Sequence, residues 1–122
     1  MSVPQVVYTA LRALVSDRCW PNRFAQPDAA PVWPAIRYVV VDAAAEAGLC
    51  GTDSEDTDDV RVQIDLVATT YAAMRTLKAQ AIAALAATDP PCSRVASSET
   101  YDAETKTHRA MLEYVFQQSS AV

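Results

Sequence analysis

The side chains that could carry chemistry are few and scattered. Cys19, Cys50 and Cys92 lie far apart in a chain of 122 residues, and His108 is the only histidine. A nucleophilic cysteine needs a neighbouring base, and none of the three lies in a recognisable nucleophile motif. Structural zinc sites use closely spaced ligand pairs, which this spacing does not provide. We therefore expect the cysteines to be small apolar residues, with no catalytic, cofactor-binding or metal-binding residue in the chain.

The main charge cluster is an acidic run, which consists of Asp53, Glu55, Asp56, Asp58 and Asp59. Clustered carboxylates can bind calcium, but this run lacks the turn glycine and the terminal glutamate of an EF-hand loop. We expect it to bind no metal tightly and to act through its charge alone. Two interpretations are open, a solvated loop or a charged surface that faces a partner or a pore.

Composition excludes several classes of protein. A net charge of −5 at pH 7 argues against a module that grips nucleic acid, and two glycines are too few for phosphate-binding loops. No stretch approaches the ~20 apolar residues of a membrane span, and the first residues do not resemble a signal peptide. An odd number of widely spaced cysteines is typical of reduced thiols in the cytosol. The length predicts one domain over residues 1–122, with 118–122 as a loose tail.

Hydrophobic periodicity and prolines predict the elements of the first half. Apolar residues recur at helical spacing from Val3 to Val15, which predicts an N-terminal helix. Residues 19–34 are rich in proline, which predicts an irregular extended segment that Trp20, Phe24 and Trp33 could anchor. A strand is predicted over residues 35–42. Residues 43–50 fit either a helical turn or a strand end, and 51–59 read as a loop.

The second half contains the clearest strand, residues 60–68. Its apolar side chains alternate with Arg61, Gln63 and Asp65. Thr69 or Thr70 can cap a helix from Tyr71 to about residue 87. A strand over 92–99, a polar turn over 101–107 and a closing strand near 108–116 follow. The predicted fold is α+β, with an antiparallel sheet of about four strands packed on one face by two helices. The other face would keep the polar side chains Arg61, Gln63, Asp65, Arg109, Glu113 and Gln117.

Several short phrases in this order are familiar. They are WPNRFAQP at residues 20–27, PAIRY at 34–38, and RVQIDL at 61–66 running directly into an alanine-rich helix. Together with the N-terminal helix and the closing strand, they make the chain resemble the tail-completion family of long-tailed bacteriophages. Members of this family are also described as tail terminator or tail-to-head joining proteins. The likeness spans most of the chain, although the run at 53–59 is unusually acidic and the 92–99 strand is weakly apolar.

The resemblance implies a structural protein and not an enzyme. It implies a homo-oligomer, a hexameric ring that caps the tail tube, ends tube polymerisation and presents a docking surface to the head. The implied partners are the major tail-tube protein and a head-completion or connector protein, with no membrane. DNA would pass through the ring without specific binding, since an acidic lining repels phosphates. The implied location is the head–tail interface of the virion, after synthesis in the cytoplasm of the bacterial host.

The family supplies no catalytic residues to carry over. The candidates for interface or channel-facing positions are the acidic run and the strand residues Arg61, Gln63 and Asp65. One alternative is a head-completion or minor tail protein, which the order of neighbouring genes would distinguish. Another is a small cytosolic ligand-binding domain that uses Trp20 and Trp33 or cysteine–histidine chemistry.

Overall fold

In a computed structural model of the chain, the described residues are 3–26, 31–41, 60–88 and 91–116. Within these ranges the chain forms two α-helices, one short 3-10 helix and five strands. In chain order they are α1 (Val3–Leu11), the 3-10 helix (Arg12–Val15), β1 (Cys19–Pro21), β2 (Ala35–Val41), β3 (Val60–Ala68), α2 (Tyr71–Ala86), β4 (Cys92–Asp102) and β5 (Thr107–Phe116). The predictions for residues 43–50, for the loop at 51–59 and for the tail at 118–122 lie outside the described residues.

The five strands form one mixed sheet in the order β1-β2-β3-β5-β4. The pairs β2–β3, β3–β5 and β5–β4 are antiparallel, whereas β1 runs parallel to β2. The α+β class and the two helices agree with the prediction, but the sheet has one more strand and is not purely antiparallel. The added strand exists because Ile36 N donates to the Arg18 carbonyl (2.9 Å) and Asn22 N donates to the Tyr38 carbonyl (2.8 Å).

The core lies between the two helices and one face of the sheet. Alternate residues of β2, β3 and β5 point into it, as period-2 side-chain direction requires. The helices contribute apolar residues at i, i+3, i+4 spacing to the same core. The fully or almost fully buried apolar side chains include Val3, Val7, Leu11, Ile36, Val62, Ile64, Leu66, Met74, Leu77, Leu85, Ala110, Leu112 and Phe116. The predicted inward face of residues 60–68 is confirmed.

Both helices have local causes for their ends. The Thr70 hydroxyl accepts a hydrogen bond from Ala73 N (3.1 Å), which confirms one of the two predicted caps of α2. The first helix is shorter than predicted, because α1 stops at Leu11 and the chain tightens into the 3-10 helix. Ser16 and Asp17 follow with φ of 52° and 68°, and these two left-handed residues turn the chain into β1.

The β4–β5 hairpin is longer than predicted. β4 continues to Asp102, because Tyr101 and Asp102 pair with His108 and Thr107, so the turn shrinks to residues 103–106. A register shift between Arg94 and Ala96 marks a β-bulge near the start of β4. One extra residue at a bulge exchanges the faces of the strand on its two sides.

Replacing Ile64 with Ala tests the position of β3 in the core. Ile64 is fully buried, so we expect a loss of about 2–5 kcal/mol in the free energy of unfolding, from lost transfer energy and the cavity left behind. Urea or thermal unfolding measures it. Val41→Ala, at a 44% exposed position of the neighbouring strand, is the control and should change little. A loss below about 0.5 kcal/mol for Ile64→Ala would contradict the assignment.

Candidate assembly surface

The second face of the sheet, which we call the open face, carries the three candidate residues of β3. Arg61, Gln63 and Asp65 lie on consecutive cross-strand rows. Each row joins one of them to a residue of β2 and a residue of β5. The rows are Val41–Arg61–Val115, Val39–Gln63–Glu113 and Arg37–Asp65–Met111. The predicted common face of these side chains is therefore confirmed, while their role in an interface or channel stays a prediction.

Asp65 forms an ion pair with Arg37 across the β2–β3 ladder. The Arg37 Nε donates to Asp65 Oδ2 (2.9 Å), Arg37 Nη2 donates to the same oxygen, and Gln63 Nε2 lies 3.4 Å from Oδ1. Asp65 is only 8% exposed, so it is not the solvent-facing residue that strand alternation predicts. A buried carboxylate needs such partners, because an unpaired charge inside a protein is costly. Asp65 is therefore paired within the fold and is not available to bind a partner.

The proline-rich arm, residues 19–34, connects to this ion pair through an aromatic cluster. The guanidinium carbon of Arg37 lies 5.5 Å from the centre of the Phe24 ring. Phe24 in turn makes edge-to-face contacts with Trp20 at 6.4 Å and with Trp33 at 5.4 Å between ring centres. The rings therefore connect the arm to Arg37 on β2, while their predicted anchoring to the apolar core stays a prediction. Because Phe24 packs against both tryptophans, the two do not form an empty aromatic cage for a ligand.

Two further ion pairs lie on the open face. Arg61 Nη1 is 3.1 Å from Glu113 Oε2, and Arg109 Nη2 is 3.2 Å from Asp102 Oδ2. Arg61 stays 45% exposed, and pairs of this kind contribute about 0–1 kcal/mol each. The Nε of Arg109 is buried with no hydrogen-bond partner among the described residues. The charges of the open face are thus paired, and Arg61 is the candidate on β3 that remains accessible.

The acidic run is the other part of the predicted site. Asp53, Glu55, Asp56, Asp58 and Asp59 all lie outside the described residues. The run belongs to the segment that connects the end of β2 to the start of β3. Its assignment to an interface or to a channel stays a prediction.

Cys19, Cys92 and His108 lie far apart in the sheet. Cys92 pairs with Phe116 and His108 with Tyr101, so these two lie at opposite ends of the hairpin, about 25 Å apart at the rise of a strand. Cys19 lies on β1, three strands away from β5. Burial raises the pKa of the Cys19 thiol to about 12 and also raises the pKa of Cys92. The geometry opposes a cysteine–histidine catalytic pair at these two positions, while Cys50 lies outside the described residues.

His108 instead packs between two tyrosines. Its ring centre is 5.8 Å from that of Tyr71 and 4.8 Å from that of Tyr101. The Tyr71 hydroxyl is 3.2 Å from Glu99 Oε1. These contacts join the start of α2 to the far end of the hairpin. Among the described residues, no three His, Cys, Asp or Glu side chains are close enough to hold a metal ion.

A charged cluster on the helix side of β4 was not predicted from the sequence. Glu99 Oε2 accepts hydrogen bonds from Lys78 Nζ (2.9 Å) and Arg75 Nη1 (3.1 Å) of α2. Arg75, Lys78 and Arg94 surround a shallow cleft floored by Ala79 and Ile82. The helical spacing of Arg75 and Lys78 was a visible signal. Strict alternation would put Arg94 and Glu99 on opposite faces of β4, and only the bulge brings both to the helix side.

One comparison with known proteins indicates the family to which the chain belongs. A family model described as tail completion protein gp17 matches residues 6–117 of the chain. The chain belongs to this family. The match runs from α1 through the end of β5 and so includes the arm, the acidic run and the hairpin. No curated protein sequence matches the chain.

Membership in the tail-completion family confirms the resemblance inferred from the sequence. It makes the chain a phage tail protein with a structural role in tail assembly. Such a protein acts through its contacts with other tail and head proteins. Among the described residues, no helix is long and apolar enough to cross a membrane.

Replacing Asp65 with Asn tests the ion pair that supports the open face. The substitution removes the negative charge and leaves Arg37 without its ionic partner, so we expect a loss of about 1–3 kcal/mol in the free energy of unfolding. Asp102→Asn, at the more exposed pair with Arg109, should cost at most about 1 kcal/mol. Both values come from urea unfolding. Equal, small losses for the two variants would show that Asp65 is not held as described.

Thiol alkylation tests the cysteine environments. A free thiol has a pKa of about 8.5, so the raised pKa of Cys19 leaves almost no thiolate at neutral to mildly alkaline pH. With iodoacetamide at about pH 8, we expect Cys19 to react at least about a hundredfold more slowly in the folded chain than in the unfolded chain. Peptide mass mapping gives the rate at each site. Equal rates for Cys19 in the two states would refute its burial.

Proposed function

We propose that this protein forms a homo-oligomeric ring, of six subunits as the family resemblance implies, at the head-proximal end of a phage tail. In this role it ends polymerisation of the tail tube and joins the tail to the head. The observation that carries the proposal is the family match over residues 6–117. The partners are then the major tail-tube protein on one side and a head-completion or connector protein on the other.

The two edges of the sheet support a ring because they are unlike. One edge is β4, eleven residues long and exposed along most of its length. At the opposite edge, β1 covers β2 only from Ile36 to Tyr38, and among the described residues Val39 to Val41 have no strand beside them on that side. A contact between unlike surfaces is head-to-tail, and head-to-tail contacts that close produce rings. Identical edges would instead favour a two-fold dimer.

A passage for DNA is the second part of the proposal. The chain carries a net charge of −5, so a channel formed by several copies would repel phosphates and let the genome slide. The acidic run and the accessible Arg61 are the candidates for positions at a subunit interface or on the channel wall. Gln63 lies beside Arg61 on the same face.

Deleting the gene from the phage tests the proposed function. We expect lysates with full-looking heads and separate, unjoined tails of irregular or excessive length, because neither termination nor joining can occur. Electron microscopy of the lysate is the measurement. The wild-type chain supplied from a plasmid is the control and should restore joined virions. Joined virions with normal tails in the uncomplemented deletion lysate would show that the proposal is wrong.

A further inference from the structure

The cleft between α2 and β4, which we call the basic cleft, has an excess of positive charge. Arg75, Lys78 and Arg94 surround it, and Arg75 and Lys78 also bind the carboxylate of Glu99 farther along β4. Hydrogen bonds from Lys78 and Arg75 lower the pKa of Glu99, so this carboxylate is ionised at neutral pH. Three cations therefore line the cleft, and two of them also bind Glu99, which lies beyond its lining. Among the described residues, Arg94 takes part in no salt bridge.

The side chains around the cleft are accessible to a partner. The side chain of Arg75 is 57% exposed, and Arg94 is also exposed, whereas Lys78 is 16% exposed and fixed against Glu99. The exposed guanidinium groups of Arg75 and Arg94 thus flank the ammonium group of Lys78, and Arg75 shares Glu99 with Lys78. Guanidinium groups bind carboxylates in a bidentate manner, so the cleft suits a ligand with several carboxylates.

The negative charge of the chain is concentrated in one place. The acidic run holds five of the fifteen acidic residues, and the ten that remain equal the number of Lys and Arg residues. Outside the acidic run the chain is therefore electrically neutral. The run is the part of the chain that carries the net charge of −5, and it is the natural counterpart of the basic cleft.

The sheet places the cleft and the end of β2, which precedes the acidic run in the chain, at opposite edges and at the same height. Arg94 lies in the cross-strand row that continues through Tyr114 and Val62 to Val40, near the end of β2. The chain leaves β2 after Val41 and returns at Val60, and the acidic run lies in between. In a ring whose axis runs along the strands, each row of the sheet meets the next copy at the same height. The end of β2 in one copy then faces Arg94 of its neighbour.

We propose that the basic cleft of one subunit binds the acidic run of the next subunit, and that this contact closes the ring. The inference rests on the ring proposed above and specifies its interface. The bulge beside Arg94 disrupts the edge of β4 at this height, so side-chain charges, more than a continuous backbone ladder, hold the contact. It also assigns the acidic run to the interface and not to the channel wall, so that phosphates are repelled by the net charge of the whole ring, −5 for each subunit.

Charge reversal in two variants tests the contact. The cleft variant carries Arg75→Glu and Arg94→Glu, and the run variant carries Glu55→Lys, Asp56→Lys, Asp58→Lys and Asp59→Lys, which makes the run positive. We expect the wild-type chain to form closed rings, and each variant alone to need about a hundredfold higher concentration to assemble, because like charges then face each other. Size-exclusion chromatography with light scattering measures assembly, and thermal unfolding verifies that each variant is folded. Arg12→Glu with Lys106→Glu makes the same charge change as the cleft variant at exposed positions elsewhere and should leave ring formation intact.

Mixing the two variants is the decisive step. In an equal mixture the reversed cleft of one chain meets the reversed run of the other, and the unmodified cleft meets the unmodified run. We expect rings to return, with the two chains alternating and only even numbers of subunits in native mass spectrometry. A single chain that carries all six substitutions should also form rings.

Four results would overturn the inference. Rings formed by the cleft variant or the run variant alone would show that the contact lies elsewhere, as would a mixture that fails to assemble. A wild-type chain that is still monomeric at about 1 mM would exclude a contact of useful strength. DNA binding that the cleft variant abolishes, with assembly unchanged, would assign the cleft to phosphates. None of these results depends on the deletion lysate, so this inference and the proposed function can fail separately.

Discussion

Burial of the inward face of β3 under the two helices is the constraint on which the rest of the molecule depends. Val62, Ile64 and Leu66 are fully buried, and a slip of one residue would turn all three to the other face. This burial fixes the registers of β2 and β5 on either side of β3. It also fixes the face on which Asp65 lies, and Asp65 must then find a cation because its position is almost inaccessible to water. Arg37 supplies the cation and brings the aromatic cluster of the arm with it.

The helices, the central strands and the apolar core could be predicted from the sequence, because each depends on a local pattern. The alternation from Val60 to Ala68 and the cap at Thr70 are complete within their own segments. The parallel strand β1 could not be predicted, since three residues give no periodicity and its hydrogen bonds depend on β2. The polar continuation of β4 to Asp102 depends in the same way on its partner β5.

The face that the candidate residues share was predictable from the sequence, but their exposure to solvent was not. Arg61, Gln63 and Asp65 share a face, as alternation requires. Alternation does not show which of them is covered, and the burial of Asp65 depends on a contact with Arg37 from a strand far away in sequence. The basic cleft was beyond such reasoning, because its members come from α2 and from both sides of a bulge in β4. Family membership supplies the role in tail assembly, and the two unlike edges supply a physical reason for a head-to-tail arrangement.

The bulge in β4 also determines which genetic lesions the chain can tolerate. A substitution at Val95, whose side chain is 52% exposed, changes little that is buried. Loss of the same codon would remove the extra residue of the bulge and exchange the faces of Cys92 and Arg94, while the strand beyond the bulge kept its register with β5. Arg94 would leave the cleft, and Cys92 would lose its hydrogen bond to the Leu85 carbonyl at the end of α2. At this position, a change in chain length is more damaging than a change in side-chain type.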